Sequence, residues 1–356
     1  MEEEHRMLPN ATENSQKAIS YVLDGATVTL LLVVMTSLGC TLEISEIKKY
    51  LLKPKEIGIA LFSQYTVMPL TAFSLARLLR LSPMESVVVL VCGCCPGGNL
   101  SNIFSLAIKG DMNLSIVMTV CSSICALGLM PLLLYIYSLG LEIVPKQNAI
   151  PFQKIIISLM LTVIPCGLGI FLKVKRPHSL KCIIKAGMVL GIVTSVLILI
   201  LSAVHTKGVI FALFSPWLVS AALLMPLIGY VSGYSIATLG RLSRQCKRTI
   251  CMETGCQNVQ LCGAILKMGF DADVIGPLFL FPLLYITFQL MEGLVLVLAL
   301  GVHEWLKAKG KLNYTRHTNV LLKGKENMAK ITTEFFYKEA STAAGQKPSQ
   351  ESDIFN

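Results

Sequence analysis

The stretch Thr249-Ile-Cys-Met-Glu-Thr-Gly-Cys-Gln-Asn-Val-Gln-Leu-Cys262 places an acid and three amides inside an apolar part of the chain. These four polar residues are Glu253, Gln257, Asn258 and Gln260. A carboxylate at bilayer depth is costly unless it is paired, hydrated or bound to a cation. Hard cations prefer oxygen ligands of the kind that carboxylates, amides and backbone carbonyls supply. The stretch therefore predicts a cation site at membrane depth.

Gly255 follows the acid by two residues and predicts an interruption of the helix at this point. A glycine inside a helix costs roughly 1 kcal/mol relative to alanine. A weakened helix frees backbone carbonyls beside Glu253 and the amides. We expect these carbonyls to join the side-chain oxygens in binding a bare cation.

The composition of the whole chain is that of a membrane protein. Of its 356 residues, 54% are hydrophobic and 15% are charged, whereas about 25% are charged in ordinary soluble domains. Several almost uncharged runs reach about 20 residues, which is enough to cross about 30 Å of hydrocarbon as a helix. We predict an all-α polytopic membrane protein. The net charge of +10 does not indicate a nucleic-acid partner, because the basic residues lie in short loops and the tail.

Hydropathy predicts nine transmembrane helices and an orientation for them. The loops after the first, third, fifth and seventh segments hold fourteen Lys and Arg residues, whereas the intervening loops hold five. This bias predicts a cytoplasmic C-terminus and an extracellular N-terminus at the plasma membrane, with glycosylation at Asn10. Residues 1–23 form the extracellular terminus and residues 306–356 a disordered cytoplasmic tail in this interpretation. The segments are 24–43, 57–79, 86–107, 112–138, 151–172, 186–206, 209–238, 249–268 and 273–305.

The chain also repeats short patterns. Met-Pro-Leu at 68–70 recurs 157 residues later at 225–227, and Gly98 precedes Gly255 by the same 157 residues. The matched units are five spans apart, an odd number, so they cross the membrane in opposite senses. An inverted repeat with an interrupted helix in each half is typical of secondary transporters that bind their substrate near the bilayer midplane.

The first interrupted segment contains Pro96-Gly97-Gly98, followed by Asn99, Ser101 and Asn102. Proline removes a hydrogen-bond donor and clashes with the preceding turn, and the two glycines weaken the helix further. A kinked packing helix with small residues is the alternative interpretation of this segment alone. Its match to a second interrupted segment that carries an acid favours a binding site.

Other polar side chains in apolar segments are fewer. Ser115 and Thr119 are spaced i and i+4 and lie on one face of a helix, although such hydroxyls often only bond back to a carbonyl. Gln64 is a rare amide in an apolar run, five residues before Pro69. Gln289 and Glu292 fit either a site or an interface, and Glu292 also fits a side chain that extends toward the cytoplasmic end of its helix.

The sequence does not point to an enzyme. The five histidines are terminal or in loops, and neither a zinc-protease HExxH pattern nor a phosphate-binding GK[ST] loop is found, so we expect no catalytic residue. Cys92 and Cys95 form a CxxC pattern without a second pair, which favours packing over a metal or redox role.

Three motifs resemble the bile acid:sodium symporter family. They are Cys-Pro-Gly-Gly-Asn-Leu-Ser-Asn at 95–102, Gly-Asp-Met-Asn-Leu-Ser at 110–115 and Glu-Thr-Gly-Cys-Gln-Asn-Val-Gln-Leu-Cys at 253–262. The resemblance covers roughly residues 24–305. It implies a core domain, 57–138 and 209–305, that moves against a panel domain, 24–43 and 151–206.

The resemblance also implies two sodium sites and a substrate surface. The first site would be formed by Ser101, Asn102, Ser115, Thr119 and Glu253. The second would be formed by Gln64, Glu253, Gln257 and the carbonyls of Thr254 and Cys256. The residues that would face the substrate are Asn99, Asn258 and Gln289. Apart from the two transported sodium ions, no cofactor is expected.

The function that we predict is sodium-coupled import of bile salts by alternating access. An alternative function on the same fold is transport of steroid sulfates or other organic anions, because the motifs concern sodium binding and do not identify the substrate. A receptor or channel that does not transport is a second alternative. The expected partners are steroidal anions, sodium ions and the lipid bilayer, and a homo-oligomer is left open.

Overall fold

The computed structural model describes residues 54–141, 152–175, 215–270 and 272–343, together with most positions of 21–41 and positions 48, 50, 52 and 189. Every regular element among these residues is a helix. The predicted segment at 186–206, apart from position 189, and the sequon at Asn10 lie outside the described residues.

The helices are numbered in chain order over the described stretches. Among residues 21–41 the described positions are helical. The elements that follow are α1 Pro54–Phe62, a π-helical turn Ser63–Val67, α2 Met68–Leu78, α3 Pro83–Gly93, α4 Leu100–Ala107, α5 Met112–Gly140, α6 Phe152–Lys175, α7 Pro216–Leu239, α8 Arg244–Gly255, α9 Val259–Gly269, α10 Ala272–Ile275, a 3₁₀ turn Gly276–Leu280 and α11 Phe281–Ala343.

Among the described residues, five helical stretches are long and apolar enough to cross a membrane, which confirms the prediction of an all-α polytopic membrane protein. Many of their large apolar side chains are exposed on the outer surface, as helices that face lipid require. The five stretches are Pro54–Leu78, Met112–Gly140, Phe152–Lys175, Pro216–Leu239 and Gly276–Lys307. Two further predicted segments, 86–107 and 249–268, are each split into two shorter helices.

The π-helical turn Ser63–Val67 ends two residues before Pro69, within the stretch Pro54–Leu78. Pro69 has no N–H to donate to the carbonyl four residues earlier, so the regular ladder cannot pass through this point. The helix accommodates the proline by widening one turn, as π-bulges do. Gln64 lies in this turn and is buried.

The hairpins α2–α3 and α7–α8 are closed by the same turn. Arg80 and Arg241 adopt φ values of 50° and 53°, in the left-handed region that residues other than glycine seldom occupy. Both turns read Arg-Leu-Ser, at 80–82 and at 241–243, a repeat beyond those predicted above. The leucine N–H returns to the preceding helix in both: Leu81 donates to Ala76 O at 3.0 Å, and Leu242 donates to Ala237 O at 3.2 Å.

The serine of each turn then caps the next helix. Ser82 accepts a hydrogen bond from the N–H of Glu85 at 3.4 Å, and Ser243 accepts one from the N–H of Cys246 at 3.2 Å. Such caps satisfy one of the amide groups that every helix leaves free at its start. The two hairpins therefore share backbone conformation, hydrogen bonds and capping.

The two split segments cross each other at their breaks. α3 and α4 are separated by Cys94–Asn99, and α8 and α9 by Cys256–Asn258. Two backbone hydrogen bonds join the breaks in antiparallel fashion: Gly98 N donates to Cys256 O at 2.8 Å, and Asn258 N donates to Pro96 O at 2.9 Å. We call this pairing the crossing.

The register of the crossing differs from the predicted repeat. Gly97 lies opposite Gln257, 160 residues later, whereas the sequence pattern matched Gly98 with Gly255. Gly98 is needed in the crossing because a Cβ atom there would lie 2.8 Å from the carbonyl carbon of Gln257. Gly255 is the last residue of α8 and instead packs on the ring of Tyr230.

The predicted panel segments that the structure describes pack closely on each other. A Cβ atom at Gly39 would lie 2.9 Å from the carbonyl carbon of Cys166, and one at Gly169 would lie 2.8 Å from the N of Cys40. Small residues allow such close helix approach in membranes. The division into core and panel stays a prediction.

Helix α11 continues into the part of the chain that was predicted to be a disordered tail. The structure has helix as far as Ala343 where a disordered tail was expected from residue 306. The side chains of 322–334 are exposed. Residues 322–334 include three lysines and two glutamates, which favour helix without burial, whereas the polar composition of the tail predicts disorder because such a composition cannot build a core.

Candidate ion and substrate site

Glu253 is the centre of a buried cluster of hydroxyl groups. Its side chain is only 2% exposed. Ser101 Oγ lies 2.5 Å and Ser115 Oγ 3.3 Å from Glu253 Oε2, and Thr119 Oγ1 lies 2.9 Å from Oε1. All three hydroxyls come from α4 and α5, whereas the acid comes from α8. The structure therefore brings together four of the five residues predicted for the first sodium site.

Three local features place these groups. Ser101 is in the first turn of α4, directly after the break. Ser115 and Thr119 lie one turn apart on the buried face of α5. Gly97 leaves room for the acid, since a Cβ atom there would lie 2.8 Å from the carboxyl carbon of Glu253.

Additional oxygen atoms surround the carboxylate. Ser101 Oγ lies 2.8 Å from the carbonyl oxygen of Gly98, and Thr119 Oγ1 lies 3.0 Å from the carbonyl oxygen of Ser115. Thr119 thus makes the back-bond to its own helix that was the alternative interpretation, and it contacts the acid as well. The cluster is a dense set of oxygen atoms around one carboxylate.

Asn102, the fifth predicted member, is buried without a hydrogen bond to Glu253. Its Oδ1 atom has no hydrogen-bond partner among the described residues. Ser105, which was not predicted, donates to Ser115 Oγ at 3.3 Å. Its position one turn after Ser101 was the available signal, because α4 presents both residues on one face.

The residues predicted for the second site form a separate amide group. Gln64 Nε2 donates to Gln257 Oε1 at 2.8 Å and to the carbonyl of Cys95 at 2.9 Å. Gln257 Nε2 lies 3.3 Å from the carbonyl of Thr254. Gln64 Oε1 has no hydrogen-bond partner among the described residues. The described hydrogen bonds of Glu253 all join it to the first group rather than to this one.

The two carbonyls predicted for the second site are engaged within the protein. The Cys256 carbonyl accepts the Gly98 N–H of the crossing, and the Thr254 carbonyl accepts the Gln257 amide. The side chain of Thr254 donates to Ser63 Oγ at 3.1 Å. Ser63 adjoins Gln64 in the π-helical turn, so this turn contacts both the end of α8 and the break that follows it.

The predicted substrate-facing asparagines are the residues before α4 and α9. Asn99 stands at the N-terminus of α4, and both of its side-chain polar atoms lack a partner in the described chain. Asn258 stands at the N-terminus of α9, where its Oδ1 accepts from the Leu261 N–H at 3.0 Å. Its Nδ2 has no described partner. Two helix N-termini and their unpaired amides therefore meet at the crossing.

Gln289 and Glu292 lie one turn apart on α11. Gln289 Oε1 accepts the backbone N–H of Gln257 at 3.0 Å, which leaves its Nε2 without a described partner. Neither carboxylate oxygen of Glu292 has a hydrogen-bond partner among the described residues. Gln289 thus binds the crossing through the backbone N–H of Gln257, whereas the sequence had left its role open between a site and an interface.

A model of the family described as "Sodium Bile acid symporter family" matches residues 28–213 of the chain. The chain belongs to this family. The expected resemblance is thereby confirmed, and the motifs at 95–102 and 253–262 that carried it form the crossing of this symporter-family protein.

Individual relatives extend the likeness beyond that match. The hepatic sodium/bile acid cotransporter of Homo sapiens is 52% identical over 305 residues, which cover 85% of this chain and 86% of that protein. The corresponding rat protein, from Rattus norvegicus, is 49% identical over 293 residues, 82% of this chain and 80% of that protein. The sodium-dependent organic anion transporter of Homo sapiens is 38% identical over 276 residues, 76% of this chain and 71% of that protein. The sequence Gly-Gly-Asn-Leu-Ser-Asn at 97–102 predicts likeness to a hepatic member, the sodium/taurocholate co-transporting polypeptide, and the first two relatives agree.

Two further residues of this symporter-family site escaped the sequence analysis. The Tyr65 hydroxyl donates to the carbonyl oxygen of Ser122. Ser122 Oγ accepts the Gly97 N–H at 3.3 Å and donates to the Thr119 carbonyl at 3.0 Å. Tyr65 adjoins Gln64 in sequence, and Ser122 lies one turn beyond Thr119, but neither residue type is unusual in an apolar helix.

Proposed function

We propose that this chain is a sodium-coupled symporter that imports bile salts across the plasma membrane by alternating access. Family membership and the names of the hepatic relatives support this assignment. The observation that carries it is the buried carboxylate of Glu253 among three hydroxyls, because this chemistry suits a bare monovalent cation.

The first sodium ion would be held by Glu253, Ser101, Ser115, Thr119 and Asn102. The carboxylate supplies a full charge, which hydroxyl dipoles alone do not provide in a low-dielectric site. The hydroxyls supply neutral oxygens that replace the hydration shell of the ion. The unpartnered Oδ1 of Asn102 adds another such oxygen.

The second sodium ion would be held by the amide group. Gln64 contributes its unpartnered Oε1, and Gln257 contributes the Oε1 that now accepts from Gln64. The carbonyls of Thr254 and Cys256 and the nearby charge of Glu253 complete the proposed set. Glu253 and Thr254 lie in the last turn of α8, and helix C-termini carry partial negative charge that favours cations.

The anionic end of the substrate would meet Asn99, Asn258 and Gln289. These residues carry unpartnered amide donors at the crossing. The helices α4 and α9 both begin there, and helix N-termini carry partial positive charge. Discontinuous helices that direct their N-termini at an anion and their carbonyls at a cation are the arrangement expected of a sodium symporter.

Sodium coupling supplies the driving force. Two sodium ions carried with one monovalent anion move one net positive charge inward, and this charge contributes about 2.3 kcal/mol per 100 mV of membrane potential. The turn that the α2–α3 and α7–α8 hairpins share supports an inverted repeat within the nine predicted spans. In this proposal the core, which contains the crossing, moves against the panel formed by the first, fifth and sixth segments.

The proposed orientation has the N-terminus outside, with Asn10 glycosylated, and the C-terminus inside. It rests on the fourteen-to-five bias of basic residues between alternate loops. Protease applied to intact cells is expected to spare a C-terminal epitope tag. Cleavage of that tag would overturn the orientation.

A second candidate substrate class is the steroid sulfates and other organic anions. The 38% identity to the sodium-dependent organic anion transporter of Homo sapiens favours it. Competition between a taurine-conjugated bile salt and a steroid sulfate, measured as initial uptake, will rank the two classes. We expect the bile salt to have the lower KM.

The decisive experiment is uptake of a conjugated bile salt into cells or vesicles that express the chain. We expect saturable uptake with sodium outside and little uptake when choline replaces sodium. Uptake that does not saturate would indicate a channel, and binding without uptake would indicate a receptor. Either of these results would overturn the proposal.

A further inference from the structure

The two residues that face each other in the crossing are held from outside it in the same way. The Gly97 N–H donates to Ser122 Oγ on α5 at 3.3 Å. The Gln257 N–H donates to Gln289 Oε1 on α11 at 3.0 Å. Because each helix is interrupted at these residues, their N–H groups lack the usual intrahelical partner. A side chain from the long helix that follows each broken helix supplies that partner instead.

A tyrosine completes each arrangement. The Tyr65 hydroxyl donates to the backbone carbonyl of Ser122, and the Tyr230 hydroxyl donates to the backbone carbonyl of Gln289 at 3.0 Å. All four side chains are buried. Each tyrosine therefore bonds to the residue whose side chain binds the break. We call the pairs Tyr65–Ser122 and Tyr230–Gln289 the first and second braces.

The residues of the two braces lie on corresponding spans in the two halves of the chain. Tyr65 lies on the span that precedes the first broken helix, and Tyr230 lies on the span that precedes the second. Ser122 and Gln289 lie on the spans that follow the respective broken helices. The two tyrosines have different neighbours in sequence, so a common structural requirement accounts for the match better than local sequence does.

We propose that Tyr65 and Tyr230 are paired positioning residues that fix the crossing in the geometry that binds sodium. This inference rests on the proposed function. A peptide group is planar, so an N–H that is held in place also fixes the carbonyl of the preceding residue. Holding Gly97 N–H orients the Pro96 carbonyl, and holding Gln257 N–H orients the Cys256 carbonyl. These are the two carbonyls that accept the hydrogen bonds of the crossing.

The two braces have different neighbours and therefore different expected effects. Ser122 Oγ also donates to the carbonyl of Thr119, whose hydroxyl contacts Glu253, so the first brace reaches the first sodium site. The Tyr230 hydroxyl also lies 3.3 Å from Cys256 Sγ, so the second brace reaches the second sodium site. Gln289 is also proposed to face the substrate, so the second brace lies next to both the second sodium site and the substrate.

The test replaces each tyrosine by phenylalanine, which keeps the ring and removes only the hydroxyl. Tyr234→Phe is the matched control for Tyr230→Phe, since Tyr234 is on the same helix and 46% exposed. Tyr135→Phe, at a side chain that is 50% exposed, is the control for Tyr65→Phe. Uptake of a taurine-conjugated bile salt is measured against external sodium and against substrate, normalised to surface protein.

We expect Tyr65→Phe to raise the sodium concentration for half-maximal uptake by roughly threefold to tenfold, as for a buried hydrogen bond of ordinary strength. Its substrate KM at saturating sodium stays unchanged. Tyr230→Phe raises both quantities. The control variants match the parent chain. Because both braces act on one crossing, the double variant is expected to depart from the sum of the single effects.

Unaltered sodium dependence in both phenylalanine variants would overturn the inference. Equal loss of maximal uptake with no change in the half-maximal sodium concentration would do so too, because that pattern indicates a purely structural role. For a variant absent from the surface, the readout is the sodium-induced rise in Tm of the detergent-purified protein. We expect a smaller rise than in the parent chain, and an equal rise would contradict the proposal. Failure of the proposed function is distinguishable, since the parent chain itself would then show no sodium-dependent uptake.

Discussion

The two breaks of the crossing are made in different ways. The first, Cys94–Asn99, separates α3 from α4 by six residues and contains Pro96, Gly97 and Gly98. The second, Cys256–Asn258, separates α8 from α9 by three residues and contains neither proline nor glycine. Proline and glycine weaken a helix through their own backbone chemistry, whereas cysteine, glutamine and asparagine need help from elsewhere in the chain to interrupt one.

That help consists of hydrogen bonds to the second break from distant parts of the chain. Gln289 accepts the N–H of Gln257, Gly98 donates to the carbonyl of Cys256, and the Pro96 carbonyl accepts the N–H of Asn258. Asn258 then caps the helix that follows through its own side chain. Each residue of the second break thus has one backbone group bonded to a distant part of the chain, while the Cys256 N–H keeps its bond to the Met252 carbonyl of α8.

The two broken helices also contribute different chemical groups to the candidate ion site. The first break has glycines where the other backbone and the Glu253 carboxylate approach closely. The second broken helix carries the acid in α8 and amides in its break, and these groups contact hydroxyls and an amide of the first half. One half supplies space and neutral oxygens, and the other supplies charge.

The largest expected effect comes from removing that charge. Glu253→Gln keeps the shape and one carbonyl oxygen, so we expect the protein to fold and reach the surface. At a fixed external sodium concentration below saturation, uptake should fall by roughly tenfold or more, because losing about 1.4 kcal/mol of ion-binding free energy raises the half-maximal sodium concentration tenfold. The measurement is uptake against external sodium per surface protein. Unchanged sodium dependence would mean that the two halves are not coupled through this acid.

Gly98→Ala tests the close approach of the first break and is expected to reduce uptake by roughly fivefold to tenfold. The added methyl group meets the backbone of Gln257, which is fixed by the crossing and cannot yield as a flexible side chain can. Gly263→Ala is the control, because a Cβ atom at Gly263 has no neighbour within 4 Å. Normal uptake by surface-expressed Gly98→Ala would contradict the crossing.

Thr119→Ala removes one of the three hydroxyls that the first half presents to Glu253. Ser101 and Ser115 remain, so we expect the half-maximal sodium concentration to rise by about threefold, the order of one neutral hydrogen bond, with maximal uptake retained. Ser138→Ala, in the same helix and bonded only to its own turn, is the matched control. A loss as large as that of Glu253→Gln would show that the hydroxyls and the acid contribute as one unit.

Pro96→Ala is expected to have the smallest effect, a change of less than about twofold in the half-maximal sodium concentration. Gly97 and Gly98 still weaken the helix, and the bond from Asn258 goes to the backbone carbonyl, which alanine also has. Sodium-dependent uptake of this variant beside that of Thr119→Ala provides the comparison. A larger effect for Pro96→Ala would mean that the first break depends on its proline alone.

The sequence was sufficient to predict a membrane protein with two interrupted segments and to select most polar residues of the candidate site. Long apolar runs leave the backbone no stable form except helix, and a buried acid or amide is conspicuous against them. For that reason Glu253, Gln64 and Gln257 could be selected without a structure. Ser101 could also be selected, from its place after the Pro-Gly-Gly break, whereas Ser115 and Thr119 were assigned to the site only through the resemblance to the family.

Only the tertiary structure shows the register of the crossing and the side chains that bind its backbone. The pattern matched Gly98 with Gly255, but hydrogen bonding between backbones, which is blind to side-chain identity, paired Gly97 with Gln257. Tyr65, Ser122 and Tyr230 are ordinary residues in apolar helices, and their roles come from partners far away in the chain. Local sequence sets where a helix is weak, whereas the positions of its free N–H and carbonyl groups depend on what the other helices bring to them.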